Sequence, residues 1–180
     1  NILDGLIDNG VKVNEKLLDI YRKWDKENPF DLGEGWGGEP WSQKEMPLDE
    51  GLVKETAKSC ETAIVIIGRT AGEGQDNRLE AGSYLLSDDE IAMLTVVREH
   101  FKKVVLLLNV GNIIDMTDIN RIAPDAVLYV WQGGMTGGKG TADVLTGKVS
   151  PSGKLPDTIA SKASDYPSDA NFGREKSRDI

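Results

Sequence analysis

The sequence has little cysteine and histidine, which narrows the chemistry open to it. Among its 180 residues, Cys60 is the single cysteine and His100 the single histidine. A lone cysteine forms neither a disulfide within the chain nor a cysteine metal cluster, and one histidine excludes a histidine-rich metal site. We therefore expect no bound metal. The single thiol and the absence of a signal peptide's basic and apolar regions predict a cytoplasmic location.

Basic clusters and long apolar runs are also missing. The 21 lysines and arginines stand against 30 aspartates and glutamates, so the net charge is −9. Nucleic acids and anionic membranes are therefore poor candidate partners. No apolar run approaches the ~20 residues that a membrane-spanning helix needs. The length, with 39% hydrophobic and 28% charged residues, is typical of a single soluble domain over residues 1–180.

Helical and strand patterns alternate strictly along the chain. Capping residues Asn14, Asp49 and Ser87 precede amphipathic segments, and β-branched or aliphatic runs lie between them. This alternation predicts an α/β fold with a mostly parallel sheet and helices on both faces, a flavodoxin-like α/β sandwich. The predicted helices span 2–9, 14–27, 49–60, 87–101 and 141–145, and the predicted strands span 63–67, 104–109, 126–131 and, as an edge strand, 155–159.

The position of individual residues within these segments predicts their surroundings. Trp24 shares a helical stripe with Leu17 and Tyr21, which predicts a core residue. Cys60 is predicted to be a small buried hydrophobe. His100 ends a helix, where a favourable dipole contact is expected. The non-alternating run at 63–67 predicts a strand buried on both faces. Residues 161–180 are predicted to form a polar tail.

Residues 28–46 form an aromatic, Gly/Pro-rich loop. Glycine and proline forbid regular structure here, yet Trp36 and Trp41 are costly to leave in water. A loop of this length with two large aromatic residues is either folded onto the body of the protein or part of a binding site.

The residues that follow the first strand carry the densest functional signal. Residues 68–78 hold three glycines, the acidic Glu73 and Asp76, and the basic Arg69 and Arg78. Ligands of open α/β sheets bind beyond the carboxyl ends of the strands, where this loop is expected. The alternative is a surface loop whose charges pair with one another.

Nucleotide binding is the weaker interpretation of this loop. The dinucleotide fingerprint needs a third glycine that 72–77 lacks, and Glu73 would repel a phosphate. Residues 137–141 only partly resemble a phosphate-binding loop. We therefore expect no cofactor, with a flavodoxin-like nucleotide-binding module as the less favoured alternative.

Several motifs, taken together and in order, resemble glycoside hydrolase family 3. An apolar strand leads to Gly-Arg and then to a Gly-Glu-Gly…Asp…Arg loop, and Ser-Asp opens the next helix. Further on come a Gly-rich turn and the family's most recognisable signature. These motifs occupy 63–78, 87–88, 125–138, 142–156, 165–167 and 171–173, and the likeness covers most of 47–173.

The resemblance implies the sandwich domain of a retaining exo-acting β-glycosidase, most often a β-glucosidase, that acts on a β-linked oligosaccharide or glycoside. In that family the domain packs on a (β/α)8 barrel that carries the nucleophile, and many members take the general acid/base from the Gly-Glu-Gly loop, here Glu73. A retaining glycosidase needs two carboxyl groups roughly 5–5.5 Å apart, one to attack the sugar and one to protonate the leaving oxygen. Because the barrel is missing, we expect this chain alone to be inactive.

Two roles are possible for each of the other candidate site residues. Asp76 and Arg78 fix the loop or touch the sugar, Arg69 reaches a hydroxyl group or holds the loop, and Trp36 and Trp41 stack on sugar or pack in the core. The turn at 132–138 departs from the family's more usual Gly-x-Glu-Gly-Gly, and an earlier strand that the family pattern places before residue 1 is missing. A helix that starts at residue 2 and a charged end over 174–180 suggest a domain excised from a longer chain. A non-catalytic carbohydrate-binding or docking domain is the alternative function.

Overall fold

A three-stranded parallel sheet forms the centre of the protein. The computed structural model describes residues 1–70 and 76–170. Strand β2 lies between β1 and β3, and both pairings are parallel, with Val65 opposite Leu106 and Leu107 opposite Leu128. The elements in chain order are α1 (Ile2–Asp8), α2 (Glu15–Glu27), α3 (Glu50–Ala57), β1 (Thr62–Gly68), α4 (Asp88–His100), β2 (Lys103–Asn109), α5 (Thr117–Ile122), β3 (Ala126–Tyr129), α6 (Gly137–Leu145) and a 3-10 turn (Ala163–Asp165).

The predicted α/β class and parallel sheet are confirmed. Leu106, Leu107 and Leu108 are consecutive in β2 and all fully buried, so both faces of the central strand are covered. One face packs on α3, α4 and α5, which contribute Val53, Leu94 and Ile119 to the main hydrophobic core. The caps predicted for α2, α3 and α4 also form, because the side chains of Asn14, Asp49 and Ser87 each accept a hydrogen bond from a backbone N–H in the first turn.

Strand β1 differs from its prediction. Its apolar run was expected to be buried on both faces, but it is at one end of the described sheet and Ile66 is 39% exposed. An apolar groove of about 450 Å³ lies beside it, lined by β1 and by residues of α2 and α3, among them Leu17, Tyr21 and Leu52. A run of β-branched residues therefore did not distinguish a central strand from one at the end of a sheet.

Two further predictions are wrong. Trp24 is not a core residue, because no residue of α2 is buried and the ammonium of Lys44 lies 5.1 Å from the centre of its ring. No strand forms at 155–159, where the described backbone is irregular. Cys60 lies beyond the end of α3 and is only partly buried against the core.

Other element boundaries shift by a few residues. Helix α3 ends at Ala57 and β3 at Tyr129, both earlier than predicted, whereas α6 begins at Gly137, earlier than the predicted start at Thr141. The short helix α5 was not predicted; its N-cap, Met116, makes no side-chain capping bond. Within the described residues, no helix combines the length and apolar character needed to span a bilayer.

Candidate functional site

The Gly-rich loop leaves the carboxyl end of β1, as expected. The N–H of Arg69 donates to the carbonyl of Asn109 at 3.1 Å, so the pairing with β2 continues one residue past the strand. Residues 71–75 lie outside the described residues, and with them Glu73. The structure describes the two stems of this loop: residues 68–70 on one side, and the residues from 76 onward on the other.

The first stem is held by the aromatic loop. The N–H of Thr70 donates to the carbonyl of Trp41 at 2.9 Å, and its hydroxyl donates to the carbonyl of Pro40 at 2.6 Å. Two segments that are 30 residues apart in sequence therefore meet at the end of β1. For the segment that contains Trp41, these contacts match the first of the two interpretations of residues 28–46, a loop folded onto the body of the protein.

The aromatic loop is closed on itself and presents Trp36 outward. The Gln43 side chain accepts from the N–H of Asp31 at 2.7 Å and donates to the carbonyl of the same residue at 3.1 Å. Gly33 has a φ of +65°, and a β-carbon there would lie 1.8 Å from the carbonyl oxygen of Gly38, so the tight path requires glycine. Trp36 is 80% exposed and Trp41 is half-buried.

The second stem turns back on itself. The N–H of Arg78 donates to the Ser83 hydroxyl at 3.0 Å, and the N–H of Tyr84 donates to the carbonyl of Arg78 at 3.1 Å. The Asn77 side chain donates to the carbonyl of Ile113 at 3.3 Å, which ties this stem to the segment after β2. Both Asp76 and Arg78 are exposed at this edge.

Arg69 is buried, with a side chain only 3% exposed. Its guanidinium donates to the carboxylate of Glu90 and to three backbone carbonyls, which uses all five of its N–H donors. Of the two roles predicted for Arg69, holding the loop is the one that these contacts support. Sequence reasoning identified Glu90 only as part of a helix cap and missed this pairing.

The turn after β3 reaches the same edge of the sheet. Trp131 has a φ of +56°, an uncommon conformation for a large side chain, and its ring lies 5.0 Å from that of Tyr129. A β-carbon on Gly111, in the segment after β2, would contact the Gln132 side chain at 3.2 Å. The segments after β2 and β3 are therefore in contact.

The surroundings of Glu45, a carboxyl group close enough to Arg69 to feel its charge, disfavour the ionised form of this group. Burial raises the pKa of Glu45 to about 7, and the negative charges of Glu90 and Asp89 add to the rise while Arg69 opposes it. The neighbouring Tyr21 has a pKa raised to about 12, first by burial and then by Glu45.

One exposed group of side chains has the composition of a metal site. Carboxylates of Glu50 and Glu99 lie near the ring of His100, which ends α4 as predicted. His100 Nε2 lies 3.1 Å from Glu50, whose carboxylate also pairs with Lys54 at 2.9 Å. Exposed acidic groups of this kind are common without a metal, and Lys54 already partly neutralises this one.

Comparisons with known proteins agree with one another. Residues 14–179 match the family model described as the glycosyl hydrolase family 3 C-terminal domain. The chain is 66% identical over 171 residues to a beta-glucosidase of Ruminococcus albus, an alignment that covers 95% of this chain and 18% of the relative. It is 31% identical over 197 residues to beta-glucosidase A of Butyrivibrio fibrisolvens, covering 96% and 23% of the two chains.

Two solved structures are similar over nearly the whole chain. A beta-glucosidase from Paenibacillus barengoltzii superposes with a TM-score of 0.92 at 54% identity, covering 96% of this chain and 19% of that one. Beta-glucosidase 3B from Thermotoga neapolitana, in complex with glucose, superposes with a TM-score of 0.86 at 33% identity, covering 98% and 25%. The chain thus spans between 18% and 25% of the length of these four relatives.

Proposed function

This chain belongs to the glycosyl hydrolase family 3 C-terminal domain family, and from that premise we propose that it works as one domain of a retaining, exo-acting β-glycosidase of the β-glucosidase type. The observation that carries the proposal is a 66% identity to a beta-glucosidase across 95% of this chain. A solved relative, 33% identical, is a complex with glucose, which supports a β-linked glucoside or oligosaccharide as the substrate.

Glu73 is the proposed general acid/base. In a retaining mechanism one carboxylate attacks the anomeric carbon while a second carboxylic acid protonates the leaving oxygen, and the second group then deprotonates the incoming water. Glu73 stands between two glycines in the loop that leaves β1, and the described stems of that loop are held by hydrogen bonds on both sides. A carboxyl group carried by such a loop suits a role that depends on a fixed position.

The aromatic loop and the second stem are the proposed sugar contacts. Trp36 is a large apolar ring left 80% exposed at the tip of a closed loop, and the apolar faces of sugars pack on such rings. Trp41 adjoins the first stem through its carbonyl group. Asp76 and Arg78 are exposed beside the loop, where their charged groups have access to sugar hydroxyls. Arg69 holds the loop.

The proposed partner is a (β/α)8 barrel of the same longer protein, and it supplies the nucleophile. This proposal is supported by the small share of each relative that the chain covers. The proposed location is cytoplasmic, in keeping with a domain whose single cysteine leaves it without an internal disulfide.

The test is the Glu73→Ala variant in the longer protein that contains this domain, assayed with an aryl β-glucoside that has a good leaving group. The leaving group of such a substrate departs without protonation, so formation of the glycosyl–enzyme intermediate survives. Turnover then stalls because no base activates the water that hydrolyses this intermediate. Azide needs no deprotonation, so it should restore turnover and yield the β-glucosyl azide. On substrates with poor leaving groups we expect a loss of about 10²- to 10⁴-fold, the usual contribution of general acid–base catalysis.

Glu80→Ala is the matched control, because Glu80 is an exposed acidic residue just beyond the loop. It should keep parental activity and gain nothing from azide. If Glu73→Ala is nearly as active as the parent on poor leaving groups, the acid/base assignment is wrong and the loop is structural. If the longer parent protein itself hydrolyses no β-glycoside, the proposed glycosidase function is wrong, and a non-catalytic carbohydrate-binding role is the better explanation.

A further inference from the structure

A buried ion pair lies between the two described stems of the loop that carries Glu73. The guanidinium of Arg69 donates to the two carboxylate oxygens of Glu90 at 2.5 and 2.8 Å. The two side chains are 3% and 1% exposed. A two-point contact between guanidinium and carboxylate fixes direction as well as distance, which a single hydrogen bond does not.

The same guanidinium joins the two stems of the loop. It donates to the carbonyl of Gly68 at 2.8 Å, which precedes the loop, and to the carbonyls of Ser83 at 2.9 Å and Leu85 at 3.2 Å, which follow it. Backbone on both sides of residues 71–75 is therefore bound to one rigid, planar group. Ser83 continues the link, because its hydroxyl accepts from the N–H of Arg78.

Glu90 is itself fixed to the core of the protein. Its carboxylate accepts from the N–H of Ser87 at 2.8 Å, and its own N–H donates to the Ser87 hydroxyl at 3.2 Å. This capping box opens α4, whose Leu94 and Val97 are buried in the main core. Packed core helices do not shift continuously, so α4 gives the carboxylate a rigid base.

Because both charges are buried, we attribute to the ion pair a role in positioning the loop stems and not in stabilising the fold. Replacing a buried ion pair with apolar side chains of similar size is often neutral or stabilising, so such a pair is weak evidence of a contribution to stability. Three directed bonds to two separate backbone segments, with two more to a fixed carboxylate, are instead what a positioning device requires.

We propose that Glu90 is a positioning residue for the glycosidase reaction: through Arg69 it sets the spacing of the two loop stems and thereby the reach of Glu73 to the leaving oxygen. This inference rests on the proposed role of Glu73. Only the acid-assisted step needs that reach, so Glu90 should matter in proportion to how much protonation the leaving group requires.

The experiment measures kcat/KM in the longer protein for a series of aryl β-glucosides whose leaving groups run from good to poor. For Glu90→Gln we expect a fall of about 100-fold with poor leaving groups, the effect of displacing a catalytic group by roughly 1 Å. With the best leaving groups we expect a fall of only a few fold. The dependence of the rate on leaving-group pKa should steepen.

Two companion variants separate positioning from folding. Val97→Ala removes buried carbons from the same helix and leaves the Arg69–Glu90 pair in place, so it should lower the melting temperature and leave the leaving-group dependence unchanged. Arg69→Met combined with Glu90→Leu replaces the ion pair with apolar side chains, and we expect it to be more stable than Glu90→Gln, because no unpaired charge is left buried. It should remain slow on poor leaving groups, because the link between the stems is still missing.

The outcome that overturns the inference is recovery of parental leaving-group dependence in the stable double variant. Failure of both the Glu90→Gln and the double variant to fold would also reject it, since the pair would then be purely structural. Glu73→Ala, measured alongside, keeps the two proposals distinct. If its loss is independent of the leaving group and azide does not rescue it, the proposed function fails, whatever Glu90 does. If Glu73→Ala behaves as expected and Glu90→Gln does not, only the positioning role fails.

Discussion

Glu45 is a half-buried carboxyl group whose surroundings oppose its charge. It lines the apolar groove with Tyr21, and its pKa is raised to about 7 by burial, then by the charges of Glu90 and Asp89, against the opposing effect of Arg69. In the unfolded chain the same group titrates near its ordinary value of 4.5. Between these two values the folded protein holds a proton that the unfolded chain has released, so this group's contribution to stability falls as the pH rises.

Glu45→Gln should remove this slope. Relative to the parent chain, we expect the variant to gain about 1 to 2 kcal/mol of unfolding free energy as the pH is raised through the interval between the two pKa values, after a discount for solvent screening of a partly exposed group. Urea unfolding of the parent and the variant across that interval measures the difference. Above a pH of about 7 the gain should level off, because Glu45 is then ionised in both states.

Glu55→Gln is the matched control. The carboxylate of Glu55 is exposed on α3, and its pKa is lowered, first by a hydrogen bond from Lys58 and then by the same ammonium charge. Because a lowered pKa makes stability rise with pH, losing Glu55 should shift the curve slightly in the opposite direction. Parallel pH profiles for the parent and Glu45→Gln would show that Glu45 keeps its ordinary pKa in the fold.

Local sequence pattern predicts contacts between residues close in the chain and not contacts across the fold. The Ser87 capping box was predicted because its partners are three residues apart. The pairing of Glu90 with Arg69 joins residues 21 apart, and no spacing rule selects one acidic residue from the three that open α4. The buried surroundings of Glu45 depend on a fold contact in the same way.

At the scale of elements, prediction succeeded where the signal lies within the element. Strands β1 and β2 were predicted from their apolar runs, and α2 and α4 from a cap followed by an amphipathic pattern. Helix α5 is only six residues long and has no side-chain cap, so neither signal marks it. Trp24 was assigned to the core because α2 has an apolar stripe, but a stripe shows which face is apolar and not whether another element covers it.

Helices α1 and α6 pack through glycines, and this contact gives a prediction at the same scale. A β-carbon on Gly138 would lie 2.1 Å from the carbonyl oxygen of Asn1, and one on Gly5 would lie 2.4 Å from the carbonyl oxygen of Gly138. Both obstacles are backbone atoms, so relief requires the helices to separate. Gly138→Ala should therefore destabilise the fold by about 1–3 kcal/mol, the usual cost of overpacking.

Gly140 supplies the matched control on the same helix. A β-carbon there meets nothing within 4 Å, so Gly140→Ala adds helix propensity without a clash and should stabilise by up to about 1 kcal/mol. Thermal or urea unfolding of the two variants should thus move in opposite directions. A Gly138→Ala variant as stable as Gly140→Ala would mean that α1 and α6 are free to move apart.

At the scale of the whole molecule, the chain holds one half of the proposed active site. A retaining glycosidase needs two carboxyl groups about 5–5.5 Å apart on either side of the scissile bond. In the proposed scheme Glu73 is one of them and the nucleophile lies on the barrel. The chain spans only 18% of the beta-glucosidase to which it is 66% identical, so most of the relative's structure has no counterpart here.

The purified chain, although folded, should therefore hydrolyse aryl β-glucosides no faster than the Glu73→Ala chain does. Without the nucleophile no glycosyl–enzyme intermediate forms, and an acid alone offers little beyond buffer catalysis. Adding the separately produced barrel should restore turnover to a mixture that contains the parent chain, and not to one that contains the Glu73→Ala chain. Unfolding curves for each chain establish that both are native in the assay. Hydrolysis by the chain alone, abolished by Glu73→Ala, would instead mean that a second carboxylate of this chain, with Asp76 the nearest in sequence, completes the site without a barrel.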